Sequence, residues 1–145
     1  MLPEFLQLTV VTPERQLLHG DVVEVTIPGL DGELGVLPGH APLITELGIG
    51  ELRCHAKGSG QYVALAILGG FAEVLPDRVT VLAEIAERAE EIDLTRAEAA
   101  LARAEKRIAT PGPNIDWDRA TIAFRRAVIR IQIARKYKGE PVNVR

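Results

Sequence analysis

The chain is poor in the residues that most often carry chemistry. It has one cysteine, one serine, three histidines, one tryptophan, two tyrosines and three phenylalanines in 145 positions. A single cysteine, Cys54, excludes an internal disulfide and any multi-thiolate metal site. Its place within an alternating apolar segment reads as a buried strand thiol. His19, His40 and His55 never fall at the i, i+4 or close loop spacing of a zinc site, so no metal is expected. The one serine, Ser59, sits between two glycines in a polar turn, which removes a serine nucleophile. Long apolar runs are also absent. The longest, Tyr62 to Ala72, is broken by Gly69 and Gly70 and falls well short of the roughly 20 residues a membrane-spanning helix needs. The N-terminal MLPEFLQLTVV carries Glu4 and no basic residue ahead of its apolar part, unlike a secretory signal. These absences point to the cytoplasm or an equivalent compartment.

What is present is apolar bulk and an uneven charge. A hydrophobic content of 47% over 145 residues is enough for one core, or a small core with an appendage. The net charge of -3 hides a gradient: residues 1–92 hold fourteen acidic and five basic side chains, residues 117–145 two acidic and eight basic. The C-terminal end should therefore meet something acidic. Nucleic acid is a poor candidate, because Trp117, Phe124 and Tyr137 are the only aromatics there and two of them lie at core spacing.

Up to about Glu84 the apolar residues recur with period two. Leu6, Leu8 and Val10 alternate with polar neighbours, as do Val23, Val25 and Ile27, the pattern of half-buried strands. GELRCHAK and QYVALAIL flank Gly58–Ser59–Gly60, and GFAEVL and RVTVLAE flank Pro76–Asp77, giving two hairpins. Several short strands at such intervals predict an antiparallel β-sandwich or flattened barrel. From about Ile85 the period becomes 3.6. Ala97, Ala100, Leu101, Ala104 and Ile108 share one helix face, with Asp93 as N-cap. Thr110–Asn114, with two prolines, stops that helix. Asp116 then caps a second, whose stripe is Trp117, Ala120, Phe124, Ala127, Val128 and Ile131. Two helices joined so closely should pair as an antiparallel hairpin. The class is thus α+β: a β-sandwich over 1–86, a helical hairpin over 87–138 and a flexible tail over 139–145.

The second helix has a further apolar face. Ile122, Ile129 and Ile133 lie opposite the first stripe, with Arg119, Arg126 and Arg130 alongside. Scattered surface isoleucines would explain it; so would a hairpin that packs one way folded down and another way extended.

The segment GLDGELGVLPGHAPL, Gly29 to Leu43, concentrates glycine and proline. It cannot be a phosphate loop of the Walker type, which needs a lysine followed by Ser or Thr at a helix start. Glu33 and His40 form an acid and base pair in name only, since such pairs in one loop are usually structural. Stiffened by prolines and bent by glycines, the segment reads as a rigid docking loop, whose order before binding lowers the entropy lost on association.

PGLDGELGVLPGHAPL, followed by ILGGFAEV, VTVLAE and EIDLTRAEAALARAE, resembles the epsilon subunit of F-type ATP synthases, called delta in mitochondria. The likeness runs from Leu8 to about Tyr137. It implies a non-catalytic rotor subunit: a sandwich that docks on the gamma subunit and the c-ring, with Glu33 and His40 at those contacts, and a hairpin that restrains ATP hydrolysis by the alpha/beta catalytic hexamer. In the extended state, Arg119, Arg126, Arg130, Arg135 and Lys136 would face an acidic segment of the beta subunit, where arginine can hold a carboxylate by two hydrogen bonds. The resemblance also implies ATP as a regulatory ligand of the folded-down hairpin, with no cofactor required. The motif reads Ile92-Asp93-Leu94-Thr95-Arg96-Ala97, with Glu87, Arg103, Arg126 and Arg130 completing the set; Asp93 as a plain cap and the arginines as a solvated face remain the alternative. The implied location is peripheral, on the cytoplasmic side of the bacterial inner membrane, or the stromal side in chloroplasts. A stand-alone nucleotide-sensing module is the rival reading.

Overall fold

The computed structural model describes residues 2–110 and 112–137. The alternating segments near the start form β1 (Leu6–Val11) and β2 (Gln16–Gly29), an antiparallel pair joined by a turn in which the Thr12 N–H donates to the Arg15 carbonyl. They are followed by β3 (Gly32–Val36), β4 (Leu43–Ala56), β5 (Tyr62–Leu75), β6 (Arg78–Ala83) and β7 (Ala86–Arg88). The strands close on themselves in the order β1-β6-β5-β4-β2 and back to β1, with β1–β6 the parallel pair. The result is the expected flattened barrel, with β3 added beside β2 and β7 beside β5.

Two strand assignments differ from the sequence reading. The docking loop contains a strand: Gly32–Val36 pairs with β2, Leu34 opposite Ile27, and its glycines conceal the alternation. QYVALAIL and GFAEVL are one strand rather than two. β5 runs through Gly69 and Gly70, which take φ of 84° and 125°, and a Cβ at Gly70 would lie 2.2 Å from the Leu82 carbonyl oxygen. That bend lets β5 pair with β7 on one side of it and with β6 on the other.

The barrel interior is filled by Leu6, Leu8, Val10, Ile27, Leu52, Leu65, Ile67 and their neighbours, all essentially inaccessible. Cys54 is among them, and burial pushes its thiol up to about 12. Val63 to Leu68 of β5 is buried on both faces, because its outer side is covered.

The cover is the helical region. The sheet continues through Arg88, past the expected boundary at residue 86, since β7 pairs with Leu65 to Ile67. A short 3-10 turn (Ala89–Glu91) follows, and then α1 (Leu94–Ala109) and α2 (Trp117–Tyr137). Asp93 Oδ1 accepts the Arg96 N–H at 3.0 Å and Asp116 Oδ1 the Arg119 N–H at 3.1 Å, so both helices begin at their predicted caps. Ala97 and Ala104 on α1 are buried, as are Ala120, Ala127 and Ile131 on α2, while Trp117 of the predicted stripe is half exposed.

The other face of α2 explains the supernumerary isoleucines. Ile133 and Ala134 pack with Ala64 and Ala66 on the outside of β5 and with Ala89 and Ile92 of the linker, Ile129 lying at the edge. Ile122, farther from the barrel, stays exposed. The hairpin is folded down, and its second apolar face is the one against the sandwich. The expected flexible tail, 139–145, lies outside the described residues.

Candidate functional site

β7, the linker, α1 and α2 meet around a cleft of about 480 Å³. β7 contributes Glu87, the linker Ile92 and Asp93, the first turns of α1 Arg96 and Ala97, the middle of α1 Arg103, and α2 Arg130. All seven belong to the set expected for a nucleotide. The eighth, Arg126, lies next door in a groove of about 720 Å³ between the helices, which shares Arg103 and Arg130 with the cleft. The helical period does this: Arg126 and Arg130 stand one turn apart on α2, facing Arg103 on α1.

The three arginines that line the cleft are matched by three carboxylates, Glu87, Glu91 and Asp93. Arg130 Nε donates to Glu87 Oε1 at 2.6 Å, and each side chain is about one quarter exposed. Arg126 differs, since its Nε is buried without a hydrogen-bond partner. A buried, unsatisfied guanidinium nitrogen is costly, and an anion seated between Arg103, Arg126 and Arg130 would satisfy it. Asp93 spends one oxygen on the helix cap, so its other remains for a ligand.

Sequence reasoning missed Glu91, which also lines the cleft. It is turned towards Arg15, whose two terminal nitrogens donate to its two oxygens at 3.1 and 2.6 Å. That hydrogen bond holds the Glu91 carboxyl below its ordinary pKa. Arg15 lies 76 positions upstream in a turn, and no local spacing could have announced the pair.

Three basic residues of α2 have acidic partners within the chain, Arg130 as described and two more. Arg135 reaches Glu98 on α1 at 3.1 Å, and Lys136 reaches Glu51 on β4 at 3.4 Å. The Tyr137 hydroxyl donates to the same Glu51. The charge gradient is thus answered in part within the chain, by Glu87 and Glu51 of the sandwich and by Glu98 of α1. Arg119 has no ion pair among the described residues.

Glu33 and His40 belong to another part of the barrel. Glu33, on β3, accepts from both terminal nitrogens of Arg53 at 3.4 and 3.5 Å. His40 Nδ1 bonds its neighbour's carbonyl, Ala41 O, at 2.7 Å. No hydrogen bond joins the two residues. Their segment is pinned: Gly39, at φ 89°, donates its N–H to Pro76 O at 2.7 Å. It also exposes Leu30, Leu37 and Leu43, apolar side chains on a stiff support, as a docking surface requires.

Among the described residues no group of histidine, cysteine and carboxylates could hold a metal ion, and no helix is long and apolar enough to cross a membrane. A closed barrel carrying a folded-down helical hairpin, a cleft of arginines and carboxylates and an exposed apolar edge defines a two-part protein, β-sandwich followed by helical hairpin. The chain belongs to the delta/epsilon family of ATP synthase chains: the family's beta-sandwich domain matches residues 5–89 and its long alpha-helix domain residues 90–135. Similar curated proteins include the ATP synthase epsilon chain of Solibacter usitatus, 47% identical over 93% of this chain and 99% of that one, and that of Geobacter sulfurreducens, 49% identical over 93% and 97%. Among solved structures, a chain in the Euglena gracilis mitochondrial ATP synthase, from a structure of its OSCP, F1 and c-ring, superposes with a TM-score of 0.78 at 28% identity, covering 88% of this chain and 80% of that chain.

Proposed function

We propose that this chain is the non-catalytic rotor subunit of a proton- or ion-translocating F-type ATP synthase. It couples gamma to the c-ring through the sandwich, and it restrains ATP hydrolysis through the hairpin. The observation that carries this reading is the clasp itself. Arg130 and Lys136 hold α2 to Glu87 and Glu51 of the sandwich, and Arg135 holds it to Glu98 of α1, by pairs in which at least one side chain keeps about a quarter or more of its surface exposed. Such pairs are weak, so the same cations, with Arg119 and Arg126, can be offered to an acidic surface of the catalytic hexamer when the hairpin lifts. The stiff segment bearing Glu33 and His40 is the contact for gamma and the c-ring. Attachment is peripheral, through the complex, on the cytoplasmic side of the inner membrane; the bacterial sources of the curated relatives favour that side.

ATP is the regulatory ligand of the folded-down state. Arg103, Arg126 and Arg130 offset the triphosphate, and Glu87 or Asp93 accepts from the adenine amino group or a ribose hydroxyl. A nucleotide bridging α1, α2 and the linker binds the compact form better than the extended one and shifts the population towards it.

Deleting residues 93–145 tests the hairpin's role in a reconstituted complex. Copurification with gamma should survive while ATP hydrolysis rises; unchanged hydrolysis would remove the inhibitory role, and loss of copurification would favour a stand-alone nucleotide sensor. Calorimetric titration of the chain with MgATP should release heat that Arg103→Ala and Arg126→Ala abolish, and absence of heat up to millimolar ligand would remove the nucleotide site.

A further inference from the structure

A line of polar side chains crosses the outer face of the barrel from the docking segment to the last turn of α2. Glu33 on β3 is held by Arg53 on β4. Glu51, two residues before Arg53 and therefore on the same face of the same strand, receives Lys136 and Tyr137 from the last turn of α2. Arg53 thus stands between two carboxylates, one tied to the docking segment and one to the hairpin. Both Glu51 and Tyr137 act electrostatically on it.

The exposures differ in a way that sets a direction. Glu33 is 60% exposed and Glu51 only 15%. A partner can reach Glu33 directly, whereas Glu51 is covered by the helix it fastens. At 3.4 to 3.5 Å the Arg53–Glu33 contacts are long for charge-assisted hydrogen bonds, so the arginine is loosely held.

We propose that Arg53 is a relay residue that links occupation of the docking segment to release of the hairpin. When Glu33 is taken by a partner, Arg53 loses its carboxylate and turns to Glu51. Two cations, Arg53 and Lys136, then compete for one carboxylate, and the fastening of the last turn of α2 weakens. The relay converts attachment of the sandwich into a bias of the hairpin towards its extended state, and by linkage a hairpin held down by nucleotide favours the free docking segment. Its place in the assembly rests on the rotor reading above; its physical content resides in the isolated chain.

Hydrogen–deuterium exchange of the α2 amides in the full-length chain tests it, using Glu33→Gln as a stand-in for a partner that occupies the carboxylate. Exchange over residues 129–137 should rise about two- to fivefold in Glu33→Gln, the scale of one partly exposed ion pair. Arg53→Gln alone should leave it unchanged, and the double variant should match Arg53→Gln, the signature of coupling through that side chain. Equal exchange in Glu33→Gln and the parent chain would overturn the relay. So would a rise that persists in the Arg53→Gln background. Neither result bears on docking, which copurification with gamma reads separately.

Discussion

The two interfaces of β5 could hardly be more different, though they belong to one stretch of the same strand. Its inner face presents Val63, Leu65 and Ile67 to a closed barrel of large aliphatic side chains. Its outer face presents Ala64 and Ala66 to a patch completed by Ala89, Ile92, Ile133 and Ala134. Large side chains bury much area and leave costly cavities when parted; alanines bury little, so the outer contact is cheap to open. One strand therefore carries an interface that is costly to part and one that is cheap to part.

The difference can be broken from either side. Leu65→Ala should have the largest effect, costing about 2 to 5 kcal/mol of global stability as a cavity opens in the barrel; urea unfolding followed by far-UV circular dichroism would measure it. Ile133→Ala should cost somewhat less, about 2 kcal/mol, and in another place. Exchange across α1 and α2 should rise while the barrel transition stays where it was. A single shifted transition for both regions would mean that the hairpin is part of the barrel's cooperative unit. Glu87→Gln should loosen the hairpin by about 1 kcal/mol or less, since the Arg130 pair is partly solvated, and the change should shrink in high salt.

The smallest effect concerns pH. Glu91 has a folded-state pKa below the ordinary carboxylate value, chiefly through the hydrogen bond from Arg15. Its stabilising contribution is therefore complete above that ordinary value, and it is lost as pH falls through the lower, folded value. The melting temperature gap between the parent chain and Glu91→Gln should be open at pH 7 and narrow in strong acid. A gap independent of pH would mean that the carboxylate contributes only shape.

Much of this architecture was legible because local rules and global fold agree. The caps at Asp93 and Asp116 fixed both helix starts, and period-two alternation marked the strands of the barrel. Alternation failed where glycine interrupted it: β3 looked like loop because Gly32 and Gly35 occupy positions where side chains would have marked the register. It failed again at Gly69–Gly70, which read as a break and is a bend. The nucleotide residues that line the cleft were named through the resemblance alone; helical spacing accounts only for Arg126 and Arg130 standing one turn apart opposite Arg103. Glu91 and the Arg53 relay were not legible, since each depends on residues that only the closed barrel brings together. The second apolar face of α2 was visible as a pattern, but its partner was not. What Ile133 touches is set by the register of β5, which no feature of α2 encodes.

Cys54 has a practical consequence. It is sealed in the barrel at 1% exposure, with a thiol that stays protonated far above neutral pH, and so it should be inert to alkylating dyes. A cysteine introduced on the exposed side of α2 would then be the sole address for a fluorophore. The chain is, in effect, already prepared for site-specific labelling, and a polarity-sensitive dye placed on α2 would report whether that helix ever leaves the barrel.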